Sequence, residues 1–386
     1  MFTNLHRVYL IRFFTNFCHA VFFPFFAVWL FEEKLFSVTE SAFIVSSAVL
    51  AMRLGAVFFS KLVSRHHKKW VVIVALLCIC LAQTLFYMFA LYRFANFFAW
   101  LVFAVVTGVM LSINSLALLS YVAIHDEERK PHMSFAVLNI ALNLSAGIGP
   151  FIGALVLTRY RQQFALLPII FAILSICSCY WLEKDKAQSK QPLQKNNFHL
   201  GGRKFILFLG LNILTFIGYP QFYEVFPVYA LNMISEEIVG ILFLVSSVVI
   251  VILQMPISAW VERTSVPYAI FAANLLLALG TLLFIPNAQH YFSLCVLGVV
   301  LISIAEIVYA PLYQSLAITL YQPENRVRSL AILSFAWGIS EASATFVGIY
   351  AVGYGYGYIS MIIGAVAALI VCGITAIKLP LFLAKN

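Results

Sequence analysis

The chain has 386 residues, of which 63% are hydrophobic and 10% charged, and its 24 Lys and Arg against 15 Asp and Glu give a formal net charge of +9. Soluble domains are about half apolar and about a quarter charged, so a soluble fold of this length could not hide so much apolar surface from water. The positive residues sit in short loops between apolar runs, as in membrane proteins, and this excludes a nucleic-acid-binding module.

Twelve apolar runs, each long enough to cross a bilayer, follow one another along the chain. Their approximate bounds are 8–31, 41–63, 70–92, 96–123, 133–158, 163–182, 204–231, 237–261, 267–286, 291–320, 328–352 and 355–378. The pattern predicts an all-α integral membrane protein with twelve transmembrane helices. We expect the first run to remain as a span, because it is too long for a signal-peptide core and carries Arg12 and His19.

Loop charge predicts the orientation of these spans. One set of loops is richer in basic residues, and these are Arg65, His66, His67, Lys68, Lys69, Arg129, Lys130, Arg263, Arg326 and Arg328. Basic loops stay in the cytoplasm, so we expect both termini to be cytoplasmic, and the compact chain without targeting extensions indicates a bacterial inner membrane. Arg159 and Arg161 lie in the opposite set of loops and run against the rule.

The longest polar stretch divides the chain. Residues 183–203 are rich in Lys, Gln and Asn, contain Pro192 and end near a Gly-Gly pair, a composition typical of a flexible linker. We therefore expect a six-helix bundle over residues 1–182, a cytoplasmic linker over 183–203 and a second six-helix bundle over 204–386.

The two halves resemble each other at a spacing near 200 residues. Four short matches occur in the same order: Phe23-Pro24-Phe25 with Phe226-Pro227-Val228, Val45-Ser46-Ser47 with Val245-Ser246-Ser247, Ser60 to Arg65 with Ser258 to Arg263, and Asn114 to Ala117 with Gln314 to Ala317. Repeated halves are typical of secondary transporters, in which a solute site between the repeats opens to alternate sides of the membrane. The pattern predicts such a carrier rather than a channel or a receptor.

Ionisable side chains inside the spans of the first half are basic. Each costs about 2.5–3.5 kcal/mol at the bilayer centre, so one without a role is not expected. Arg12, Asn16 and His19 share one helix face, and Arg53 lies near the middle of the second run. We expect Arg12, His19 and Arg53 to contact an anionic part of the solute. The alternatives are snorkelling for Arg12, a structural hydrogen bond for His19 and a structural ion pair for Arg53.

The second half carries acidic residues instead. Glu224, Glu306 and Glu341 fall inside its apolar runs, and Tyr309 shares a helix face with Glu306. Carboxyl groups withdrawn from water can bind and release a proton near neutral pH. We expect these residues to form a pathway for protons or for a cationic part of the solute. Ion pairs that only hold helices together are the alternative.

Two amide side chains, Asn139 and Asn143, lie one turn apart in the fifth run. They are candidates for the solute pathway, with hydrogen bonding between helices as the alternative. The combination of a basic first half and an acidic second half fits a polycarboxylate such as a siderophore, or a zwitterion, better than a plain lipophilic cation.

The six-plus-six plan and the central linker resemble the major facilitator superfamily over essentially the whole chain. The loop from Ser60 to Lys69 is similar to that family's gating motif. Its basic residues remain, whereas both glycines and the aspartate are replaced, so the role of the aspartate does not pass to Ser64. The resemblance implies a gating role for Arg65, Lys68 and Lys69.

The fifth run resembles the drug:proton antiporter branch of that family. Gly149, Pro150 and Gly153 match its Gly-Pro-x-x-Gly motif, which implies a hinge, with small-residue packing as the alternative. Ala104 stands four residues before Gly108, where that branch usually has an arginine. The usual proton-coupling residue of the branch is therefore missing at this position.

Two later stretches are also similar to drug-efflux members: Gly218 to Gln221, and Glu306 with the Tyr-Ala-Pro that begins at Tyr309. The resemblance adds Gln221 to the solute pathway. It implies proton-coupled efflux of a drug, a metabolite or a siderophore-like carboxylate. Import of an anionic solute or siderophore by proton symport is the alternative.

The loops contain no phosphate-binding, metal-ligand or nucleophile motif, so we do not expect an enzyme. For the same reason we expect no cofactor and no metal. The seven cysteines all fall inside apolar runs, which indicates small buried side chains. The expected partners are the solute, protons and the lipid bilayer, and the chain is expected to be a monomer.

Overall fold

The computed structural model describes residues 4–125, 131–161, 163–183, 202–230, 233–286, 288, 290–320 and 326–383. These residues are predominantly helical, and no strand occurs among them. The chain divides into two compact units, residues 1–197 and 198–386. The linker expected at 183–203 lies almost wholly outside the described residues, so it stays a prediction.

The described part of the first unit contains seven α-helices. They are α1 (Asn4–Ala20), α2 (Phe26–Glu33), α3 (Val38–Arg65), α4 (Lys68–Leu91), α5 (Phe97–His125), α6 (Pro131–Arg159) and α7 (Leu166–Tyr180). The described part of the second unit contains another seven. They are α8 (Arg203–Gly218), α9 (Phe226–Tyr229), α10 (Glu236–Arg263), α11 (Val266–Leu282), α12 (Phe292–Leu320), α13 (Arg326–Gly353) and α14 (Gly357–Leu383).

In the described residues, eleven helical stretches are long and apolar enough to cross a membrane. The helix α11 is apolar but has 17 residues, so length and composition do not confirm the expected count of twelve. Many large apolar side chains are exposed, such as Phe58 at 69% and Met255 at 74%, and such a surface suits contact with lipid. The chain is a multi-pass membrane protein.

The first predicted run, 8–31, falls within one stretch able to cross a membrane, His6–Glu33, and the helix is interrupted inside it. The helix α1 ends at Ala20, a short 3₁₀ helix spans Phe23–Phe25, and α2 follows it. Pro24 has no backbone N–H and cannot continue the α-helical hydrogen bonds. Hydropathy does not reveal the break, because the residues on both sides of it are equally apolar.

The seventh predicted run, 204–231, is interrupted in a different way. The helix α8 ends at Gly218, a π-helix spans Gln221–Val225, and the short α9 follows. Pro220 directly precedes the π-helix and removes one helical hydrogen bond. Single π turns inside α-helices are rare, and those that occur are often found at functional sites. This segment carries two candidate residues, Gln221 and Glu224.

Candidate functional site

Three acidic side chains of the second unit face one tyrosine. Tyr219 interacts electrostatically with Glu306 of α12, Glu341 of α13 and Glu224 of the π-helix. The side chains of Glu341 and Glu224 are buried, and that of Glu306 is half-buried. Three acidic residues from three separate spans are therefore all within electrostatic range of Tyr219. We call Glu224, Glu306 and Glu341 the carboxyl cluster.

A tyrosine hydroxyl holds the carboxylate of Glu306. Tyr223 Oη donates to Glu306 Oε2 at 2.6 Å, a distance typical of a hydrogen bond to a charged acceptor. The ring of Tyr223 stacks on that of Tyr219, with the two centroids 4.7 Å apart. The two tyrosines together form one side of the carboxyl cluster.

Two buried serines extend this hydrogen bond to the neighbouring helix. Ser246 Oγ of α10 lies 3.4 Å from Tyr223 Oη, and Ser303 Oγ of α12 lies 2.8 Å from Ser246 Oγ and 2.8 Å from the carbonyl oxygen of Val299. Ser303 and Glu306 are three residues apart and share a face of α12. The series of hydroxyl groups therefore begins and ends on the same helix.

Tyr309 lies one turn beyond Glu306 on α12 and interacts electrostatically with Glu306 and Glu341. Its side chain is fully buried, and its hydroxyl has no hydrogen-bond partner among the described residues. An unsatisfied buried polar group costs about 1–3 kcal/mol. The role of Tyr309 in the solute pathway stays a prediction.

Aromatic rings cover the other side of the carboxyl cluster. Phe216 stacks on Trp337 at 4.4 Å and meets Tyr309 edge-on at 5.6 Å, and Trp337 lies one turn before Glu341 on α13. Apolar surroundings strengthen electrostatic interactions. In the described part of the chain, no group of His, Cys, Asp and Glu is arranged to hold a metal ion.

Sequence reasoning missed Tyr223 and Ser303 and found Ser246 only as part of the internal repeat. The available signal for Tyr223 was its position four residues after Tyr219, on the same helix face. The available signal for Ser303 was its position one turn before Glu306. Neither spacing identifies a hydrogen-bond partner, because partners depend on which helices are neighbours.

Gln221 was predicted in the solute pathway, but both ends of its amide take part in helix packing. Its Nε2 donates to the carbonyl oxygen of Ile217 at 3.0 Å, and its Oε1 accepts from Ser360 Oγ of α14 at 2.6 Å. The side chain is 1% exposed. These contacts favour a brace between α14 and the π-helix over contact with a solute.

The polar face of α1 bridges two other helices of the first unit. Arg12 Nη1 donates to Ser115 Oγ of α5 at 2.7 Å. Asn16 Nδ2 donates to Ser145 Oγ of α6 at 2.7 Å and to the carbonyl oxygen of Leu142 at 3.1 Å. The contact with Ser115 favours an inward-facing Arg12 over a snorkelling one.

His19 lies on the same face of α1. Its ring stacks on Phe23 with centroids 4.5 Å apart and an angle of 24° between the planes. Its Nε2 atom is buried, and the described residues supply it with no hydrogen-bond partner. A structural hydrogen bond at Nε2, one alternative for this residue, is therefore not found in the described part of the chain.

The remaining predicted pathway residues of the first unit lie on α3 and α6. Arg53 is half-buried in the middle of α3 and Asn143 is half-buried on α6, and each is engaged by other groups. The side chain of Asn139 falls outside the described part of the structure. The roles of all three residues stay predictions.

The basic loop after α3 secures the end of another helix. Lys69 Nζ donates to the carbonyl oxygens of Tyr180, at 3.1 Å, and Leu182 at the end of α7, where a positive charge also complements the helix dipole. Lys68 is buried and donates to a backbone carbonyl at 3.0 Å, and Arg65 is exposed at the end of α3. The structure thus gives Lys69 a capping role, and gating by these residues stays a prediction.

The glycines of the fifth span lie against the break that follows α1. A Cβ atom on Gly149 would lie 2.9 Å from Ala20 Cβ, and one on Gly153 would lie 2.0 Å from the carbonyl oxygen of Val21. Pro150 is inside α6, which continues on both sides of it. The geometry supports close helix packing at these glycines, and the hinge stays a prediction.

Ion pairs account for an arginine that runs against the loop-charge rule. Arg161 pairs with Glu32, and its Nε lies 3.8 Å from Glu33 Oε1. Arg93 Nη1 pairs with Glu33 Oε2 at 3.3 Å. Because these arginines are neutralised by acidic neighbours, they do not act as free positive charge at this end of the unit.

The sequence model described as Major Facilitator Superfamily matches residues 8–234 and 213–384. A curated relative, the Na(+), Li(+), K(+)/H(+) antiporter of Planococcus maritimus, is 23% identical over 269 residues. The match covers 61% of this chain and 63% of the antiporter, so the chain spans less than two thirds of that relative's length.

Solved structures of transporters share the fold. A POT family transporter in complex with a thioalcohol-conjugated peptide has a TM-score of 0.82 over 98% of this chain and 96% of its own, at 14% identity. A nucleoside transporter has a TM-score of 0.80 over 97% and 99% at 12% identity. A D-xylose-proton symporter has a TM-score of 0.79 over 99% and 98% at 13% identity. At these identities the likeness shows the fold alone.

Proposed function

Because the chain belongs to the major facilitator superfamily, we propose that it is a proton-coupled secondary transporter that exports a small polar or charged organic solute by alternating access. Membership of this family makes the chain a transporter and not an enzyme. The proposed cargo is a drug, a metabolite or a siderophore-like carboxylate.

The carboxyl cluster is the observation that carries this proposal. Acidic groups inside membrane spans are expensive and mark ion or proton pathways by default. Glu306, half-buried and bound by Tyr223, is the proposed proton acceptor. Glu341 and Glu224, which face the same Tyr219, are proposed to exchange protons or to bind a cationic part of the solute.

The basic residues of the first unit supply the proposed contact for an anionic group of the solute. Arg12 and His19 lie on one face of α1, and the His19 Nε2 atom has no hydrogen-bond partner among the described residues. Arg53 is proposed as the third contact, with Asn139 and Asn143 along the same pathway. Their positions inside apolar spans support this assignment.

A second candidate function is the exchange of an alkali cation for protons. The observation that favours it is the curated relative, which is named as a Na(+), Li(+), K(+)/H(+) antiporter. Carboxylate and hydroxyl oxygens are the ligands that hard cations prefer, and Tyr223 Oη lies 2.6 Å from Glu306 Oε2 and 3.4 Å from Ser246 Oγ.

Transport in the opposite direction would use the same residues. Import of an anionic solute or siderophore by proton symport is the alternative, because a secondary carrier moves its cargo in the direction that the gradients set. The sign of the proton movement that accompanies the cargo separates the two.

We propose that α11 is the twelfth span, which gives two pseudo-symmetric six-helix bundles. Its 17 residues extend about 26 Å, close to the roughly 30 Å of hydrocarbon in a bilayer. Asn274 of α11 is fully buried, accepts from Thr215 Oγ1 of α8 at 2.8 Å and donates to Tyr313 Oη of α12 at 3.3 Å. These contacts support placing α11 at the depth of its two neighbours.

We further propose a bacterial inner membrane, cytoplasmic termini and a monomer. The orientation rests on the basic loop from Arg65 to Lys69, which would face the cytoplasm. At the other end of the first unit Arg93 and Arg161 are paired with glutamates, so they do not oppose this orientation.

Purified protein in liposomes that contain a pH-sensitive dye tests the function. The probes are ethidium, an organic cation; citrate, a polycarboxylate; and sodium and potassium ions. We expect an organic probe to cause proton movement opposite to its own in the wild-type protein. We expect at least a tenfold slower response in Glu306→Gln, because glutamine cannot carry the proton.

The matched control is Glu262→Gln, at the exposed end of α10, which should respond like the wild-type protein. A response to sodium or potassium alone would support the second candidate function. Proton movement in the same direction as the probe would support symport. An unchanged rate in Glu306→Gln would contradict proton coupling through this residue.

A further inference from the structure

Glu306 accepts a hydrogen bond from the first of three neighbouring hydroxyl groups, Tyr223, Ser246 and Ser303. Tyr223 donates its one hydroxyl proton to Glu306 Oε2 at 2.6 Å, so its oxygen is left to accept a hydrogen bond, and Ser246 Oγ lies 3.4 Å away. Ser303 Oγ lies 2.8 Å from Ser246 Oγ and also 2.8 Å from the carbonyl oxygen of Val299, which competes for its single proton. Hydroxyl groups that donate and accept in series polarise one another, which strengthens the last bond.

We propose that Tyr223, supported by Ser246 and Ser303, sets the proton affinity of Glu306. The inference rests on the proposed function, which assigns the coupling proton to Glu306. A hydroxyl that donates to a carboxylate stabilises its charged form. Tyr223 is therefore a positioning residue, which keeps the carboxylate ready to release its proton without carrying that proton itself.

The carboxyl groups of Glu224 and Glu341 do not supply this stabilisation. Glu224 and Glu341 share its surroundings, and like charges oppose its ionisation. Tyr219 and Tyr309 also interact electrostatically with Glu306. The helix α10 has no ionisable side chain between residues 238 and 261, and in α11 the one such side chain is an exposed tyrosine near its start. The hydrogen bond from Tyr223 is thus a contact that favours the charged carboxylate.

The π-helix holds Tyr223 in place through its ring, independently of its hydroxyl. The neighbouring Phe222 is fully buried and stacks on Phe243 at 5.0 Å and on Phe284 at 5.7 Å. The Tyr223 ring stacks on Tyr219. Because these contacts involve rings alone, Tyr223→Phe removes the hydrogen bond and leaves the packing of the segment intact.

Infrared absorption of protonated carboxyl groups, measured as a function of pH on the full chain in lipid, tests the proposal without any solute. The signal of Glu306 is the part that disappears in Glu306→Gln. We expect Tyr223→Phe to move the midpoint of that signal upward by about 1 pH unit, a tenfold change in proton affinity. Ser246→Ala should move it in the same direction by a smaller amount.

The matched control is Tyr229→Phe, which removes a hydroxyl that donates to the carbonyl oxygen of Ile285 at 3.2 Å. In this variant the midpoint of the Glu306 signal should equal that of the wild-type protein. An unmoved midpoint in Tyr223→Phe overturns this inference and leaves the proposed function standing. If Tyr223→Phe does not fold, Ser246→Ala decides by the same criterion. The absence of any Glu306 signal across the accessible pH range overturns the proposed function and this inference together.

Discussion

The two units interrupt their first membrane helix at corresponding places, but by opposite means. The first unit uses a 3₁₀ turn at Phe23–Phe25, which is wound more tightly than an α-helix. The second uses a π-helix at Gln221–Val225, which is wound more loosely. A repeated fold therefore preserves the place of the interruption and leaves its geometry free to differ.

Each interruption carries a stacked pair of rings with the same spacing. His19 stacks on Phe23 at 4.5 Å, and Tyr219 stacks on Tyr223 at 4.7 Å; the pairs are 200 positions apart in the sequence. The second pair binds Glu306 through Tyr223, whereas the first contains a histidine. The stacking is common to both units, and the acidic chemistry belongs to the second.

The packing around the two interruptions also differs. In the first unit Gly149 and Gly153 of α6 lie directly against the backbone that follows α1. In the second unit the side chain of Gln221 is hydrogen-bonded to Ser360 of α14. A contact between backbones leaves no room for adjustment, while a hydrogen bond can be exchanged. We therefore expect the first interruption to be rigid and the second to be adjustable.

The largest effect is expected from adding a methyl group where α6 packs against the backbone that follows α1. In Gly153→Ala the new methyl group would lie 2.0 Å from the carbonyl oxygen of Val21, so α6 must shift. We expect a loss of about 3 kcal/mol and a fall in the melting temperature of about 6–12 °C. Gly210→Ala, where nothing lies within 4 Å, is the control and should be neutral or slightly stabilising. Equal melting temperatures for the two variants would disprove the rigid contact.

An intermediate effect is expected from Gln221→Met in the second unit. Methionine keeps the length of the side chain but removes both hydrogen bonds of the amide, and it leaves the buried Ser360 without its acceptor. We expect a loss of about 2 kcal/mol, measured as a fall in melting temperature of about 4–8 °C. The control is Gln254→Met on α10, where the amide bonds to Ser258 on the same helix, and little change is expected. A fall larger than that of Gly153→Ala would reverse the comparison.

Much of the fold follows from hydropathy, because lipid demands long apolar helices. The interruption at Phe23–Phe25 does not follow, since a 3₁₀ turn has no apolar signature of its own. In the same way, 17 residues in α11 give a weaker signal than a full-length span.

The carboxyl cluster was visible in the sequence because a charge inside an apolar run is conspicuous. Its partners were not visible, since Tyr223 and Ser303 are ordinary residues until the neighbouring helices are known. Gln221 was predicted as a solute contact from its place in a span. Its hydrogen bonds join two helices, and its part in the solute pathway stays a prediction.

The smallest effect is expected from Ser360→Ala, and it tests whether the brace in the second unit depends on one bond or on two. The substitution removes the donor to Gln221 Oε1, while Gln221 Nε2 keeps its bond to the carbonyl oxygen of Ile217. We expect a loss of about 1 kcal/mol and a fall in melting temperature of about 2–4 °C. The control, Ser178→Ala, removes a hydroxyl that bonds to Leu174 in its own helix, and should change stability by less than about 0.5 kcal/mol. If Ser360→Ala lowered the melting temperature as much as Gln221→Met, the two hydrogen bonds of Gln221 would depend on each other. The second interruption would then be as rigid as the first.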